Sequence, residues 1–262
     1  MPDATLEGIA RAFDLRACPT TFTQTCAGAR VGRMMDHVRD LASVRDATER
    51  LLNAAAELDN ASVAEPSRLP GWSRGHVLAH LARNADALVN VLDGRPMYVS
   101  GDARDADIER DAPRPLDVQL ADLRESTARF QKAGEAPADW SRTVELRNGV
   151  TDSAARVPFR RWGEVELHHV DLGVGYELED LPEEFVEREI EFLADRFTGH
   201  PEVPSTRITD AARAWSTGRD TEGRPEVTVT GPAPALLGWL CGRRDGSGLS
   251  TDGGPLPALP PL

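Results

Sequence analysis

Cysteine, positive charge and long apolar runs are all scarce in this sequence, and each scarcity excludes something. Three cysteines, Cys18, Cys26 and Cys241, are scattered over 262 residues with no CxxC pair. That rules out a disulfide framework and a cysteine-based structural zinc site, and it fits a reducing cytosol. Lysine and arginine number 30 against 43 aspartates and glutamates, a formal charge of −13. Nucleic-acid binding needs a clustered basic excess, so neither a nucleic acid nor an anionic membrane surface is expected as a partner. No stretch approaches the roughly 18 apolar residues of a membrane-spanning helix. Residues 1–33 lack the apolar core of a secretory signal. There is also no internal repeat and no glycine-rich nucleotide fingerprint. The expectation is a cytoplasmic monomer or small homo-oligomer. An acidic total still admits a small anionic ligand, because one or two buried arginines can hold a carboxylate.

What is present is helical periodicity. Residues 1–33 have a Thr/Cys/Ala/Gly-rich middle and weak periodicity, and are read as a disordered extension or mis-assigned start, with a helix over 4–14 as the alternative. Residues 34–178 read as a four-helix bundle. Its first helix, over 36–59, carries Val38, Leu41, Val44, Ala47, Leu51 and Leu52 at helical spacing. A second runs from a Ser73 cap to about Leu92 and stops at Asp93-Gly94. A third covers 116–133, and a fourth runs from Pro158 to Leu172, closed by Gly173. The polar stretch 94–115 is too long for a plain connector and is expected to cover something. Val144-Glu145-Leu146 with Asn148-Gly149 predicts a short extended pair or turn. Residues 179–262 change character, with a helix after Pro182, β-prone runs at 206–208 and 227–230, a helix after Pro232 and a glycine-rich tail. The fold expected is therefore mainly α, an N-terminal bundle followed by a small α/β domain.

Four of the six histidines fall in two of the bundle helices. Glu164 and His168 lie one turn apart on one stripe of the fourth helix, an arrangement that offers a cation two ligands from rigid backbone. Glu166 and His169 form a competing pair on another face, and an ordinary solvated Glu–His pair accounts for either spacing equally well. In the second helix, His76 sits in the first turn, where capping is the usual use, whereas His80 lies deeper between Val77 and Leu81. Asn84, one turn on, is placed to hydrogen-bond a neighbouring ligand, with plain polar helix surface as the even alternative. Two imidazoles and a carboxylate suit zinc and leave a coordination position open, although nickel and iron accept the same donors. Cys241 sits in an apolar run and reads as a buried structural thiol.

Around these residues the chain resembles the mycothiol-dependent maleylpyruvate isomerases, relatives of the DinB-like helical bundles. The matching text is Gly71-Trp72-Ser73-Arg74-Gly75-His76-Val77-Leu78-Ala79-His80 with Asn84-Ala85, then Pro96-Met97-Tyr98-Val99-Ser100. It continues in Arg161-Trp162-Gly163-Glu164-Val165-Glu166-Leu167-His168-His169-Val170-Asp171-Leu172-Gly173 and in Gly242-Arg243. The resemblance covers about residues 35–262. It implies His80, Glu164 and His168 as metal ligands and Arg243 as the functional arginine, with Arg244 one residue away in register; Asn84, one turn beyond His80, is read from its helix position as a cofactor contact.

The activity implied is mycothiol-dependent cis–trans isomerisation of maleylpyruvate to fumarylpyruvate in aromatic catabolism by the gentisate route. A metal-held thiolate adds to the double bond, rotation follows, and the thiolate leaves. The partners implied are a divalent cation such as Zn2+, the thiol cofactor mycothiol and a small anionic substrate. Thiol transfer to another electrophile shares the first step. A non-catalytic regulator on the same bundle would need neither metal nor thiol.

Overall fold

The computed structural model describes residues 36–220 and 223–261. The expectations for residues 1–33, and for Cys18 and Cys26, lie outside them. The chain divides into two compact units between Val174 and Gly175.

The N-terminal unit is built from α1 (His37–Ala56), α2 (Asn60–Ala64), α3 (Arg74–Leu92), α4 (Gly101–Asp111), α5 (Leu116–Glu135), β1 (Thr143–Glu145), β2 (Thr151–Ser153) and α6 (Val157–Leu172). The long helices α1, α3, α5 and α6 close a ring, since α1 packs on α5 and α6 and α3 packs on the same two. Each turns an apolar stripe inward. On α3, Val77, Leu78, Leu81, Ala85, Leu88 and Val91 are buried. On α6, Val157, Val165, Leu167 and Leu172 are. Fully burying an aliphatic side chain contributes about 1.5–3 kcal/mol, so these stripes hold the ring closed.

Local chemistry sets the helix ends. Asp36 accepts a hydrogen bond from the Arg39 N–H and caps α1. Ser73 caps α3, and His76 returns the contact by accepting from the Ser73 N–H, a reciprocal capping box. Gly173 ends α6 at φ 66°, a left-handed conformation that costs glycine nothing. Asn148 and Gly149, also at positive φ, turn β1 into its antiparallel partner β2.

One expectation needs correction. The polar stretch 94–115 contains a helix, α4, capped by Ser100 and packed on α3. Arg104, Ile108 and Asp111 are its buried residues, so it has almost no apolar face to read.

The C-terminal unit comprises α7 (Glu183–Arg196), β3 (Thr206–Thr209), β4 (Ala214–Thr217), β5 (Val227–Thr230), α8 (Ala233–Leu240) and β6 (Ser250–Asp252). Its sheet has the order β4-β3-β5-β6, with a central parallel pair β3/β5 and an antiparallel strand on each edge. Ile208, Val227 and Val229 are buried in the sheet, and α7 packs on α8 and β4. β4 and β6 are absent from the sequence expectations. The fold is mainly α, a helical bundle followed by a smaller α/β region. Among the described residues, no helix is long and apolar enough to cross a membrane.

Candidate metal centre

The facing stripes of α3 and α6 bring His80 to Glu164 and His168. His80 Nε2 lies 3.0 Å from Glu164 Oε2, and His168 Nε2 lies 3.4 Å from the same oxygen. The two imidazoles meet edge to face with centroids 4.7 Å apart. One donor atom from each of the three residues falls within 4.8 Å of the others, the one such histidine, cysteine and carboxylate group among the described residues. Both histidines are buried, while the Glu164 side chain keeps 15% exposure. The Trp72 ring stands 5.5 Å from that of His80.

The two imidazoles have opposite kinds of partner behind them. His168 Nδ1 is 2.9 Å from the buried Asp171 carboxylate, which accepts its N–H and turns Nε2 toward Glu164. His80 Nδ1 is 3.2 Å from Arg104 Nη2. A guanidinium can only donate, so this Nδ1 accepts, and the ring proton sits on Nε2 against Glu164. Burial, with help from the neighbouring His168 and Arg104 charges, pushes the His80 pKa down to about 3 against the opposing pull of Glu164. For His168, burial also disfavours the cation, but Asp171 and Glu164 outweigh it and the pKa is raised. Burial works against ionised Glu164, yet the hydrogen bonds from His168 and His80 hold its carboxyl well below the usual range. The result is a carboxylate and one neutral imidazole in a water-poor site, a strong donor set.

The alternatives left open by spacing resolve in particular ways. Glu166 faces another interior region, accepting from Trp162 Nε1 at 2.9 Å and from Arg50 Nη2 at 2.6 Å. His76 serves the α3 cap. Asn84 is buried, and its Oδ1 accepts from Arg161 Nη1 at 2.9 Å. Cys241 is buried at the end of α8. Arg243, in the C-terminal unit, is half-buried and donates to the Cys241 carbonyl at 3.0 Å. Arg244 is held by two contacts, 2.6 and 2.7 Å, to Glu179.

Three residues near the cluster carry no role in the sequence expectations. Asp171 stands three after His168, and its i,i+3 spacing was a usable signal. Arg104 lies on the helix hidden in the polar stretch. Arg161 is fully buried, donates to Leu81 O and Asn84 Oδ1, and has its pKa pushed down to about 10 by burial, with the Glu164 charge opposing.

The chain as a whole matches known proteins. The mycothiol maleylpyruvate isomerase N-terminal domain model matches residues 44–173, and the MDMPI C-terminal domain model matches residues 180–261. A crystal structure of a mycothiol-dependent maleylpyruvate isomerase superposes with a TM-score of 0.77 at 28% identity, covering 86% of this chain and 96% of that one. A histidine-to-alanine mutant of such an isomerase gives 0.76 at 27% identity with the same coverage. Among curated protein sequences none matches. Two domain models in the family's own order, together spanning most of the chain, show that this protein belongs to the mycothiol-dependent maleylpyruvate isomerase family.

Proposed function

We propose that the protein is a metal- and mycothiol-dependent cis–trans isomerase acting on maleylpyruvate, with His80, Glu164 and His168 as its metal ligands. The observation that carries this reading is the convergence of those three donors on one point from two helices. The donor set fits a divalent cation. Two nitrogens and one oxygen match the zinc preference, and three protein ligands leave a position open. When bound, the cation supplies the charge that keeps the mycothiol sulfur as thiolate at neutral pH, and reversible thiolate addition to the cis double bond frees rotation to the trans isomer.

The chain's own residues prepare that chemistry. Asp171 fixes the His168 ring and tautomer from behind. Glu164, ionised at neutral pH, supplies the negative charge that offsets part of a cation's. A cation at His80 Nε2 would take the place of the ring proton that faces Glu164, and the neutral ring would keep that proton by changing tautomer to Nδ1–H, with Arg104 giving up its contact there. Arg104 and Arg161 place positive charge near the cluster, which favours an anionic substrate. Asn84, tied to Arg161, is assigned as a contact for the thiol cofactor. To Arg243 we assign the pairing with a substrate carboxylate or a developing enolate. Arg244 is the poorer choice, because Glu179 occupies both its terminal nitrogens.

The experiment is direct. Purified protein loaded with zinc and supplied with mycothiol should convert maleylpyruvate to fumarylpyruvate, followed by absorbance, and His80→Ala should abolish both stoichiometric metal and turnover. Stable thiol adducts with no fumarylpyruvate would replace isomerase with thiol transferase. Absence of bound metal together with an unaffected His80→Ala variant would remove both.

A further inference from the structure

A cavity of about 580 Å3 opens in the N-terminal unit between the chain leading into α4 and the β1–β2 hairpin. The Pro96-Met97-Tyr98-Val99-Ser100 stretch supplies part of its lining, and the reading above leaves that stretch without a role. Its size falls within the roughly 300–1,000 Å3 usual for small-molecule sites.

The cations in the lining are not equivalent. Arg95 is paired with Asp93 at 2.7 Å. Arg142 donates to the carbonyls of Asp139 and Leu92. Arg147 is half-buried, and among the described residues its guanidinium has neither a carboxylate nor a carbonyl partner. It sits where the hairpin closes, with the Leu146 N–H on Val150 O and the chain turned through left-handed Asn148 and Gly149. Its Nη2 reaches across to α4, 3.9 Å from where a Cβ on Gly101 would stand. The one carboxylate in the lining, Glu145, is exposed on the hairpin. A part-buried charge loses hydration without gaining a partner, and an incoming anion restores the balance.

Tyr98 connects this cavity to the cluster. Its ring lines the cavity and lies 6.0 Å from the guanidinium of Arg104, the same group that donates to His80. Burial raises the phenol pKa while Arg104 and Arg147 oppose the rise and Glu164 adds to it, so groups of both sites act on this one hydroxyl.

We infer that this cavity seats the 2-oxo acid end of the substrate, with Arg147 pairing the terminal carboxylate. The inference rests on the isomerase reading for the identity of the ligand. Maleylpyruvate carries a carboxylate at each end of a short chain, and the double bond beside one end must meet the thiolate. The 2,4-dioxo acid end then needs its own anchor, and the planar fork of an arginine matches a carboxylate at two points.

The test uses full-length His80→Ala protein, in which a diketone cannot be drawn to a cluster metal. Acetylpyruvate, a 2,4-dioxo acid without the alkene, is titrated in by calorimetry. Saturable binding is expected. Adding Arg147→Ala should weaken it at least about tenfold, and Arg147→Lys should restore part of the loss. In the enzyme with His80 intact, Arg147→Ala should raise KM for maleylpyruvate by about tenfold or more with kcat changed by less than about twofold. Acetylpyruvate binding that is absent, or unchanged by Arg147→Ala, overturns the inference. Arg147-dependent binding in a protein without isomerase activity would leave the cavity assignment standing and remove the isomerase reading. Full activity with no dependence on Arg147 would do the reverse.

Discussion

The two units spend their interiors differently. Among the described residues, the bundle buries Asp40, His80, Asn84, Arg104, Asp111, Arg161, Glu166, His168, His169 and Asp171, besides Thr48, Gln119, Ser126 and Thr127, whereas in the C-terminal unit Glu189, Thr206 and Thr217 are the buried polar residues. Burying charge is costly unless it is paired, and a protein that needed only a stable bundle would do better with aliphatic residues there. The lesson is that the bundle carries buried charge at some expense to stability, as the proposed metal site would require, while the interior of the C-terminal unit is mostly apolar.

The largest effect should come from the proposed metal ligands. His80→Ala is expected to lower zinc affinity by more than the hundredfold that loss of an outer partner can reach, measured by chelator competition. An affinity within a few-fold of wild type would mean that the α3–α6 seam is merely a polar core. Asp171→Asn comes next. It keeps the shape behind His168 but removes the charge, so metal affinity should fall by about 10- to 100-fold with little change in the far-ultraviolet circular dichroism. Zinc binding unmoved by this change would sink the orienting role given to Asp171.

Gly218→Ala probes the other unit. Gly218 has φ +82°, and an added Cβ would fall 2.0 Å from Pro204 O. The backbone there cannot yield cheaply, and we expect a loss of about 1–3 kcal/mol in urea unfolding with zinc affinity unaltered. Coupled loss of metal binding would show that the bundle's site depends on the C-terminal unit's packing.

The smallest effect concerns the surface pair of Glu226 and Arg219, joined at 2.9 Å through both carboxylate oxygens. The Arg219 contact, followed by the Ser205 N–H, holds the Glu226 pKa down to about 2 from an ordinary 4.5. A depressed folded-state pKa contributes stability that is present above pH 4.5 and fades as pH falls through about 2. The pair lies on the surface, so solvent screens it and the contribution is small. Thermal midpoints of wild type and Glu226→Gln should differ slightly at neutral pH and converge near pH 2. A difference that persists in acid would assign the effect to something other than the charge.

Much of the bundle was legible because its elements carry their own signals. Ser73 and Gly173 mark helix ends by backbone chemistry, and Leu78, Leu81, Ala85 and Leu88 repeat at the period of a helix with one buried face. Asn148-Gly149 announces a turn in the same local way. Elements that bury little apolar surface were not legible. α4 buries Arg104 and Asp111 against polar neighbours, so hydrophobic periodicity had nothing to register. β6 is exposed at all three positions and β4 is an edge strand, each paired on one side. An edge strand is held by backbone hydrogen bonds, which are indifferent to side-chain pattern.

The chain on its own therefore determined which residues could serve as ligands and on which helices they ride, because spacing along a helix follows from its pitch. It left Glu164 with His168 and Glu166 with His169 as equal local choices. Only the packing of α3 against α6 decided between them, by turning one face of α6 toward His80 and giving Glu166 to Trp162 and Arg50. The packing of α4 on α3 recruited Arg104, from a segment 24 residues on, to the back of the His80 ring. Those pairings are distances between separate parts of the chain, and no local rule of sequence contains them.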